Sequence, residues 1–357
     1  MIGRKGIRGQ TTTDGERRRR ATINDVARLA NVSKKTVSRV INQSPFVRED
    51  TRERISAIIA EMGFVPDPQA RGLAFRRSFL IGMIYDNPTP QYVVNMQQGL
   101  LDGMRGSGFE LVVHPCDRTT PAFLSEVREF IERQKLFGVV LSPSVSEDKR
   151  LPPILHEIAC PYIRIASIAL DDPEVMVVTN DSVGGAVAAR HLLDLGHKRI
   201  AHIAGPSTFR SAHERKRGFA AELKDNGVKL ADRNVVEGSY SFESGIACAE
   251  ALLGRANRPT AIFAGNDEMA AGVLMAARKM SLQVPRDLSV VGYDDFQIAS
   301  RIWPPLTTLH APTRDIGRIA ADQLIRSTSD ARGIRYDPNA ILPKLVVRES
   351  SGPAPKK

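Results

Sequence analysis

The sequence predicts an α/β protein in which a small all-helical headpiece precedes a larger body of two α/β lobes. Three helical apolar repeats occupy residues 22–63, and from residue 79 onward short apolar runs alternate with helical segments. Charge divides the chain at the same place: residues 1–79 contain 17 Lys and Arg against 8 Asp and Glu, and the whole chain carries +10. We therefore expect one basic end that binds a polyanion and a nearly neutral remainder.

The first twenty residues, MIGRKGIRGQTTTDGERRRR, have no hydrophobic period and no apolar core of a signal peptide. We predict that residues 1–20 form a disordered basic tail; contact between its four consecutive arginines and phosphates is the alternative. No apolar run reaches the length of a membrane span. The three scattered cysteines, Cys116, Cys160 and Cys248, form no CxxC pair and predict buried thiols in a reducing cytosol.

A first short helix is predicted after Thr22. Thr22 and Asp25 are spaced as in a capping box, with Asp in place of the usual Glu or Gln. Asn31 suits the left-handed position that ends a helix. Only about three residues then separate this helix from the next, which is typical of a helix-turn-helix whose second helix lies in the DNA major groove.

The second helix lies in VSKKTVSRVIN, residues 32–42, which contains three cations and no acid. Val37, Val40 and Ile41 form an apolar arc on one face, and Ser33 is placed as the N-cap. The first turn and the opposite face carry hydrogen-bond donors: Lys34, Lys35, Ser38, Arg39 and Asn42. This uncompensated face predicts contact with an acceptor-rich polyanion; the alternative is a solvated amphipathic helix.

A third helix follows, with Ile55, Ile58, Ile59 and Met62 at helical spacing and Gly63 as its stop. The three helices together make a headpiece over residues 21–65. A unit this small has a limited hydrophobic core, so we expect marginal stability on its own.

The body contains eight short apolar runs rich in β-branched residues, which are typical of parallel strands covered on both faces. Helical segments alternate with them, at residues 95–104, 183–195 and 268–279 among others. Eight such units exceed one small open sheet and therefore predict two similar lobes. The runs are residues 79–86, 110–116, 138–143, 162–167, 176–181, 199–205, 260–267 and 288–295.

Several of these strands end in Asp or Asn, at the edge where open α/β sheets bind their ligands. With two lobes facing each other, these side chains would converge on one cleft. The alternative is that they cap the following helices, which applies most readily to Asp181 and Asp267. The residues are Asp86, Asn87, Asn180, Asp181, Asn266, Asp267, Asp294 and Asp295.

Three further residues are candidates for the same cleft. Arg164 lies inside a strand and needs a partner, which is either a structural carboxylate or the ligand. Arg215 begins a helix after a Gly-Pro loop, where its guanidinium can donate to adjacent hydroxyls or a carboxylate. Tyr240 offers a flat face for a sugar ring or a base, and a core position is its alternative.

Motifs of the common enzyme classes are missing, because GxGxxG after the first strand, GxxxxGK[ST], GxSxG and HExxH are all absent. The seven histidines do not fall at metal-ligand spacing. We therefore predict no enzymatic activity, no metal and no cofactor.

The segments TINDVARLANVSKKTVSRVIN and GFVPDPQARGL, followed by LGHKRIAHIAG, NDEMAAGV, DLSVVGYDD and PPLTTL, resemble the LacI/GalR family from about Thr22 to about Val347. The resemblance implies a hinge helix over 66–78 and a periplasmic-binding-protein-like (type I) effector and dimerisation domain over 79–347. It implies an N-lobe of about 79–179 and 308–337 and a C-lobe of about 180–307 and 338–347. Residues 348–357 are expected to be a disordered tail.

The resemblance also implies DNA contacts. Lys34, Lys35 and Arg39 match positions that contact bases. The hinge leucine, here Leu73, matches a residue that inserts into the minor groove, and Gly72 before it predicts a hinge that orders only on DNA. Phe75 departs from the family pattern, where a polar or basic residue is common. Positions that mostly contact phosphates are matched by Thr22, Ser33, Thr36 and Ser38.

In the cleft, the resemblance implies effector contacts at Asp86, Arg215, Tyr240, Asn266 and Asp294, to which we add Asn87 and Arg164. This set favours a sugar, because vicinal hydroxyls bind to Asp, Asn and Arg beside one aromatic face. A purine or other non-sugar effector is the alternative. The expected protein is a bacterial, cytoplasmic, homodimeric repressor of carbohydrate use, associated with the nucleoid when bound to a palindromic operator. A dual activator and repressor is the other alternative.

Overall fold

The computed structural model describes residues 21–41, 46–64, 78–327 and 336–356. Two compact units make up the chain, Met1–Arg76 and Arg77–Lys357. The predictions for the basic tail 1–20, for Asn42, and for hinge residues 66–77 with Leu73 lie outside the described residues.

Three helices form the headpiece: α1 (Ile23–Leu29), α2 (Lys34–Ile41) and α3 (Glu49–Met62). One side chain from each of them is fully buried at their common centre, namely Val26, Val37 and Ile55. These are the apolar positions that the helical repeats predict, so the headpiece has one shared core.

The predicted ends of the headpiece helices are confirmed. Asp25 N donates to Thr22 Oγ1 at 3.4 Å, and Thr22 N donates to Asp25 Oδ2 at 3.0 Å, which completes the capping box before α1. Asn31 is left-handed with φ of 51°, and Gly63, with φ of 59°, ends α3 in the same conformation. The turn between α1 and α2 is therefore short enough for a helix-turn-helix.

The N-lobe is built on a parallel five-stranded sheet in the order β2-β1-β3-β4-β5. Its strands are β1 (Leu80–Tyr85), β2 (Glu110–Pro115), β3 (Gly138–Leu141), β4 (Tyr162–Ala166) and β5 (Met176–Val178). The helices between them are α4 (Pro90–Met104), α5 (Phe123–Gln134) and α6 (Leu151–Glu157). Continuous burial along β3 and β4 shows that helices cover both faces of this sheet.

The C-lobe repeats this plan with a parallel four-stranded sheet in the order β7-β6-β8-β9. Its strands are β6 (Ile200–Ala204), β7 (Val235–Glu237), β8 (Ala261–Ala264) and β9 (Ser289–Val291). Its helices are α7 (Asp181–Asp194), α8 (Arg210–Asp225), α9 (Phe242–Leu253), α10 (Asp267–Lys279) and α11 (Gln297–Arg301). The predicted two-lobed α/β architecture is confirmed.

The chain returns to the N-lobe later than predicted. β10 (Thr308–His310) pairs antiparallel with β11 (Lys344–Val346), and Leu309 is buried in the C-lobe core. The N-lobe regains the chain at α12 (Thr313–Arg326), which packs along α4, and keeps it to Ile341, which is buried in the N-lobe core. The predicted boundaries at 308 and 337 are therefore wrong by about four residues each, because burial of Leu309 and Ile341 decides them.

Glycine permits the closest helix contacts in both lobes. A Cβ on Gly99 of α4 would lie 2.1 Å from the carbonyl oxygen of Arg314 on α12. A Cβ on Gly218 of α8 would lie 1.8 Å from the carbonyl oxygen of Ser182 on α7. Any larger side chain at these positions would separate the helices.

The prediction of a disordered tail over 348–357 is wrong for residues 348–356. This segment runs beside the edge strand β9, where Val290 N donates to the Ser350 carbonyl oxygen at 2.8 Å. Ser350 is fully buried, and Ala354 N donates to the Leu195 carbonyl oxygen at 2.8 Å. The segment satisfies the backbone groups of an otherwise open sheet edge, which is why it is ordered.

The cysteines are unpaired, with Cys160 buried as predicted and Cys116 and Cys248 only half-buried. In the described part of the chain, no helix has the length and apolar character needed to cross a bilayer. In the same residues no three His, Cys, Asp or Glu side chains come together as metal ligands would.

Candidate functional sites: the α2 surface and the interlobe cavity

The headpiece presents the three cations of α2 to solvent. Lys34, Lys35 and Arg39 are exposed, and among the described residues none of them forms a salt bridge. By contrast, Arg28 on α1 pairs with Asp25 at 3.2 Å. The cations of α2 are therefore available to an external anion, as the sequence predicts.

Hydroxyl side chains order the first turn of α2. Thr36 N donates to Ser33 Oγ at 3.1 Å, which confirms Ser33 as the N-cap, and the Ser33 and Thr36 hydroxyls lie 2.9 Å apart. Thr22 is half-buried in its capping box, and Ser38 is half-buried on α2 beside the exposed Arg39. The cap leaves the positive end of the helix near the two lysines, where a phosphate is favoured.

The body encloses a cavity of about 50 Å³ between its two lobes. Five helices begin at this cavity, namely α4, α7, α8, α10 and α12, so it lies at the carboxyl ends of both sheets. The residues that line it are Asn87, Thr89, Tyr92, Pro143, Thr179, Asp181, Phe209, Ser211, Arg215, Tyr240, Asn266, Tyr293, Asp294, Ala311, Thr313 and Ile316. The predicted effector residues that line it are Asn87, Arg215, Tyr240, Asn266 and Asp294.

Arg215 is the cation at the centre of the cavity wall. Its Nε donates to Asp181 Oδ1 at 2.8 Å, and its Nη1 donates to the Gly265 carbonyl oxygen at 2.6 Å. Its Nη2 lies 3.9 Å from Asp294 Oδ1, and its Cζ lies 3.6 Å from the centre of the Tyr293 ring. The ring and the two carboxylates fix the guanidinium in one orientation.

Two carboxylates therefore share one guanidinium, and they do so unequally. Asp181 also accepts hydrogen bonds from the hydroxyls of Ser167, at 2.9 Å, and Thr179. Asp294 has the longer contact to Arg215, and burial together with the negative charge of Asp181 raises the pKa of Asp294 to about 7, although Arg215 opposes this. The interpretation of Asp181 as a helix cap is wrong, because its side chain bonds these three residues instead.

Aromatic side chains form a corner of the cavity. The rings of Phe209 and Tyr240 meet edge to face, 5.6 Å apart and inclined at 87°. The Tyr240 ring rests on Gly205, where a Cβ would lie 2.1 Å from its Cζ, and Tyr240 itself has a left-handed φ of 62°. The glycine and the unusual backbone conformation thus turn the tyrosine toward the cavity.

The capping alternative holds for Asn266 but not for Asp267. Asn266 Oδ1 accepts from Met269 N at 2.9 Å, so Asn266 caps α10, and its Nδ2 donates to the Tyr240 carbonyl oxygen at 3.0 Å. Asp267 is fully buried away from the cavity lining and accepts from Phe296 N at 2.7 Å and Thr308 Oγ1 at 2.5 Å. Asp267 therefore joins α10 to the loop after β9 and to β10, and the alternative that it caps the helix does not hold for this residue.

Two predicted effector residues do not line the cavity. Asp86 is held by Arg118, whose Nε donates to Asp86 Oδ2 at 2.6 Å, and by the Ser144 hydroxyl. Arg164 is buried and donates to the Ser146 carbonyl oxygen at 2.7 Å and to Asp171 Oδ2 at 3.2 Å. For Arg164 the structure shows the first alternative, a structural carboxylate, and Asp86 is likewise engaged by internal partners. Neither side chain lines the cavity, contrary to the prediction.

The sequence prediction missed the apolar and hydroxyl lining, including Thr89, Tyr92, Phe209, Ser211 and Tyr293. Each lies within seven residues of the end of a parallel strand, close to the Asp and Asn residues that the prediction selected. A position shortly after a parallel strand is therefore the sequence feature that could have identified these lining residues. The prediction selected mainly Asp and Asn at these positions and passed over their neighbours.

Two family models match the chain. Residues 22–67 match the model described as bacterial regulatory proteins, lacI family, and residues 189–351 match the periplasmic binding protein-like domain. The chain is 34% identical to the ribose operon repressor of Escherichia coli (strain K12), over 85% of this chain and 92% of that protein. It is 30% identical to the HTH-type transcriptional repressor PurR of Vibrio vulnificus, over 92% of this chain and 98% of that protein.

The solved structure of the lac repressor dimer bound to operator and the anti-inducer ONPF is similar to this chain. It superposes with a TM-score of 0.74 at 28% identity and covers 94% of this chain and 100% of that one. The similarity therefore extends over the headpiece and both lobes.

Proposed function

Because this chain belongs to the lacI family of bacterial regulatory proteins, we propose that it represses transcription under the control of a small neutral sugar bound between its lobes. The family is one of DNA-binding regulators, so the protein is a regulator rather than an enzyme. The observation that carries the sugar assignment is the Arg215 centre with its two carboxylates beside the perpendicular rings of Phe209 and Tyr240.

The exposed cations of α2 support the DNA-binding role. Lys35 and Arg39 lie one helical turn apart on the face opposite the buried Val37 and Val40. Arg and Lys are suited to the guanine acceptors of the major groove. A homodimer on a palindromic operator follows the lac repressor, whose solved structure is a dimer bound to operator. Such a regulator works in the cytoplasm, on the nucleoid when bound to DNA.

The chemistry of the cavity wall favours a sugar over a base. Sugar hydroxyls both donate and accept, and Asp181, Asp294 and Arg215 offer acceptors and donors close together. The C–H face of a sugar ring packs on one aromatic side chain, whereas a planar base is best held between two parallel rings. Phe209 and Tyr240 are nearly perpendicular and do not form such a pair.

The charge of the wall favours a neutral sugar over a phosphorylated one. Arg215 is the cation among the lining residues, and Asp181 and Asp294 both face it. A phosphate placed there would meet two carboxylates for one guanidinium that is already engaged. The N-termini of five helices create a positive potential that favours negative charge, but Asp181 at the start of α7 already neutralises part of it.

A purine effector is the second candidate, because PurR of Vibrio vulnificus is 30% identical to this chain and Tyr92 adds a further ring to the lining. A dual activator and repressor has the same protein chemistry and differs only in where the operator lies.

Calorimetry and thermal shift test the assignment with four probes: D-ribose, D-ribose 5-phosphate, hypoxanthine and guanine. We expect binding of the neutral sugar, loss of that binding in Arg215→Met, and no binding of the phosphate ester. Tight binding of either base would overturn the sugar assignment. For the DNA role, selection from random duplexes should return a palindrome; recovery of no specific sequence would contradict a repressor.

A further inference from the structure

Two hydrogen bonds cross the gap between the lobes at the loop that follows β6. Arg118 Nη2 donates to the Thr208 carbonyl oxygen at 3.2 Å. Arg210 N donates to Glu147 Oε2 at 3.4 Å. Arg118 and Glu147 belong to the N-lobe, whereas Thr208 and Arg210 belong to the C-lobe. The crossings are separate from the segments that join the lobes covalently, near residues 178–181, 310–313 and 341–344.

The N-lobe partners are themselves fixed. Asp86 holds Arg118 through a 2.6 Å contact to its Nε, which leaves the Nη2 of the same guanidinium for the C-lobe. Asp86 also accepts from the Ser144 hydroxyl, so one carboxylate ties the ends of β1 and β3 to the loop after β2. Glu147 is the last residue of the 3-10 turn Val145–Glu147, and its Oε1 is buried without a hydrogen-bond partner in the described residues.

The C-lobe partners lie directly beside the cavity wall. Phe209 and Ser211, which line the cavity, alternate with Thr208 and Arg210 along the chain. Arg210 is the first residue of α8, so its N–H has no partner within the helix, and Glu147 supplies the acceptor. A carboxylate at this end of a sixteen-residue helix is also favoured by the helix dipole.

From this arrangement we infer that Asp86, Arg118 and Glu147 form an interlobe clasp that positions the Phe209–Ser211 wall and stabilises the closed lobes. None of these three side chains lines the cavity. It acts through the loop after β6, and it gives Asp86 a positioning role in place of the ligand contact that the sequence predicts. The inference extends the proposed function, since the closed state that the clasp favours is the one in which both lobes contact the effector.

Hydrogen exchange of the full-length protein without ligand or DNA tests the clasp at the Arg210 amide. Arg118→Lys keeps a cation beside Asp86. It removes the guanidinium, which contacts Asp86 through Nε and the Thr208 carbonyl oxygen through Nη2. Arg118 does not contact Arg210, so faster exchange there reports opening of the lobes. We expect exchange of the Arg210 amide to rise about three- to fivefold in Arg118→Lys, as for loss of one solvent-exposed hydrogen bond to a charged group.

Glu147→Ala should expose the same amide at least as strongly, whereas Glu147→Gln, which keeps an acceptor, should retain part of its protection. Arg150→Gln is the matched control, because Arg150 pairs with Asp148 beside Glu147 but within the N-lobe. The Cys116 amide, bonded to the Tyr85 carbonyl oxygen, is the internal reference for N-lobe integrity.

Arg210 exchange within twofold of wild type in Arg118→Lys, with the Cys116 amide still protected, would overturn the clasp. An equal rise in Arg150→Gln would also overturn it, because the effect would then be general loosening of the N-lobe. The measurement uses no effector, so failure to find a binding sugar would contradict the proposed function and leave this result standing.

Discussion

Asp294 should make the protein less stable as the pH rises, and Asp294→Asn should remove that dependence. The side chain is 8% exposed, and its pKa of about 7 lies well above the 3.8 of an unperturbed Asp. Burial is the main cause, the charge of Asp181 adds to it, and Arg215 offsets part of it. The folded protein therefore binds the Asp294 proton more tightly than the unfolded chain does.

The direction and magnitude of this pH dependence follow from the difference in proton binding between the folded protein and the unfolded chain. A raised carboxyl pKa means that stability is greatest below about pH 4, declines from there to about pH 7, and stays low above it. The difference between about 7 and 3.8 corresponds to about 4 kcal/mol, at about 1.4 kcal/mol for each pH unit. Asparagine does not titrate, so the stability difference between variant and wild type should shrink by about 2–3 kcal/mol from pH 8 to pH 5.

Urea unfolding at pH 5, 6, 7 and 8, followed by circular dichroism, measures this difference. Other groups titrate over the same range or below it, such as His202, whose pKa burial lowers to about 4. Their contribution is common to both proteins and cancels in the comparison. Asp315→Asn, which removes a carboxylate that is 58% exposed, is the control and should change stability by less than about 0.5 kcal/mol at every pH.

A constant difference between Asp294→Asn and wild type from pH 5 to pH 8 would refute the reasoning, because Asp294 would then be ionised throughout. A variant that is less stable than wild type at pH 8 would show that Arg215 stabilises the charged form by more than burial costs.

Three further predictions concern other parts of the molecule. Lys35→Ala and Arg39→Ala should each weaken operator binding about 10- to 100-fold and relax sequence preference in gel-shift titrations at fixed salt. Arg28→Ala, which removes a cation paired with Asp25, is the control and should change binding less than about threefold. Equal losses for all three variants would contradict base recognition by α2. Gly218→Ala should lower the free energy of unfolding by about 1–3 kcal/mol in urea, because the added Cβ would lie 1.8 Å from the Ser182 carbonyl oxygen; an unchanged midpoint would mean that α7 and α8 separate freely. Asp171→Asn should lower the free energy of unfolding by about 1–2 kcal/mol, since Arg164 keeps its carbonyl partner but loses its carboxylate. Ligand binding measured by calorimetry should be unchanged. Loss of binding with unchanged stability would place Arg164 in the effector site.

The fold was largely predictable because its elements are encoded locally. Each of the eight apolar runs contains a strand, and the capping box at Thr22 and the left-handed stop at Gly63 are where the sequence places them. The strands that were missed, β7, β10 and β11, are three residues long and partly exposed. They therefore lack the longer apolar run that surrounds the equally short β5 and β9. Residues 348–356 were mispredicted because their order depends on hydrogen bonds to β9, which lies distant in sequence.

The site was predictable only in part, for a different reason. The rule that ligands bind at the carboxyl ends of parallel strands selected Asn87, Asn266 and Asp294, which line the cavity. It does not indicate which side chain an internal partner engages first. Asp267 and Arg164 are satisfied inside the protein, and no feature of the local sequence distinguishes them from residues that face the cavity.

Asp86 and Asp294 show what decides between these outcomes. Both follow a parallel strand, and each faces an arginine. Within the described ranges Arg118 forms no salt bridge to a second carboxylate. Its Nε therefore lies 2.6 Å from Asp86 Oδ2, and Asp86 becomes part of the clasp. Arg215 is already bonded to Asp181 at 2.8 Å, so Asp294 remains at 3.9 Å with its charge poorly compensated. A buried acceptor that the protein leaves incompletely paired is the one that a ligand hydroxyl can satisfy. Because the guanidinium of Arg215 is shared, we propose that Asp294 rather than Asp86 is the carboxylate that contacts the effector, at the cost in stability that Asp294→Asn should recover.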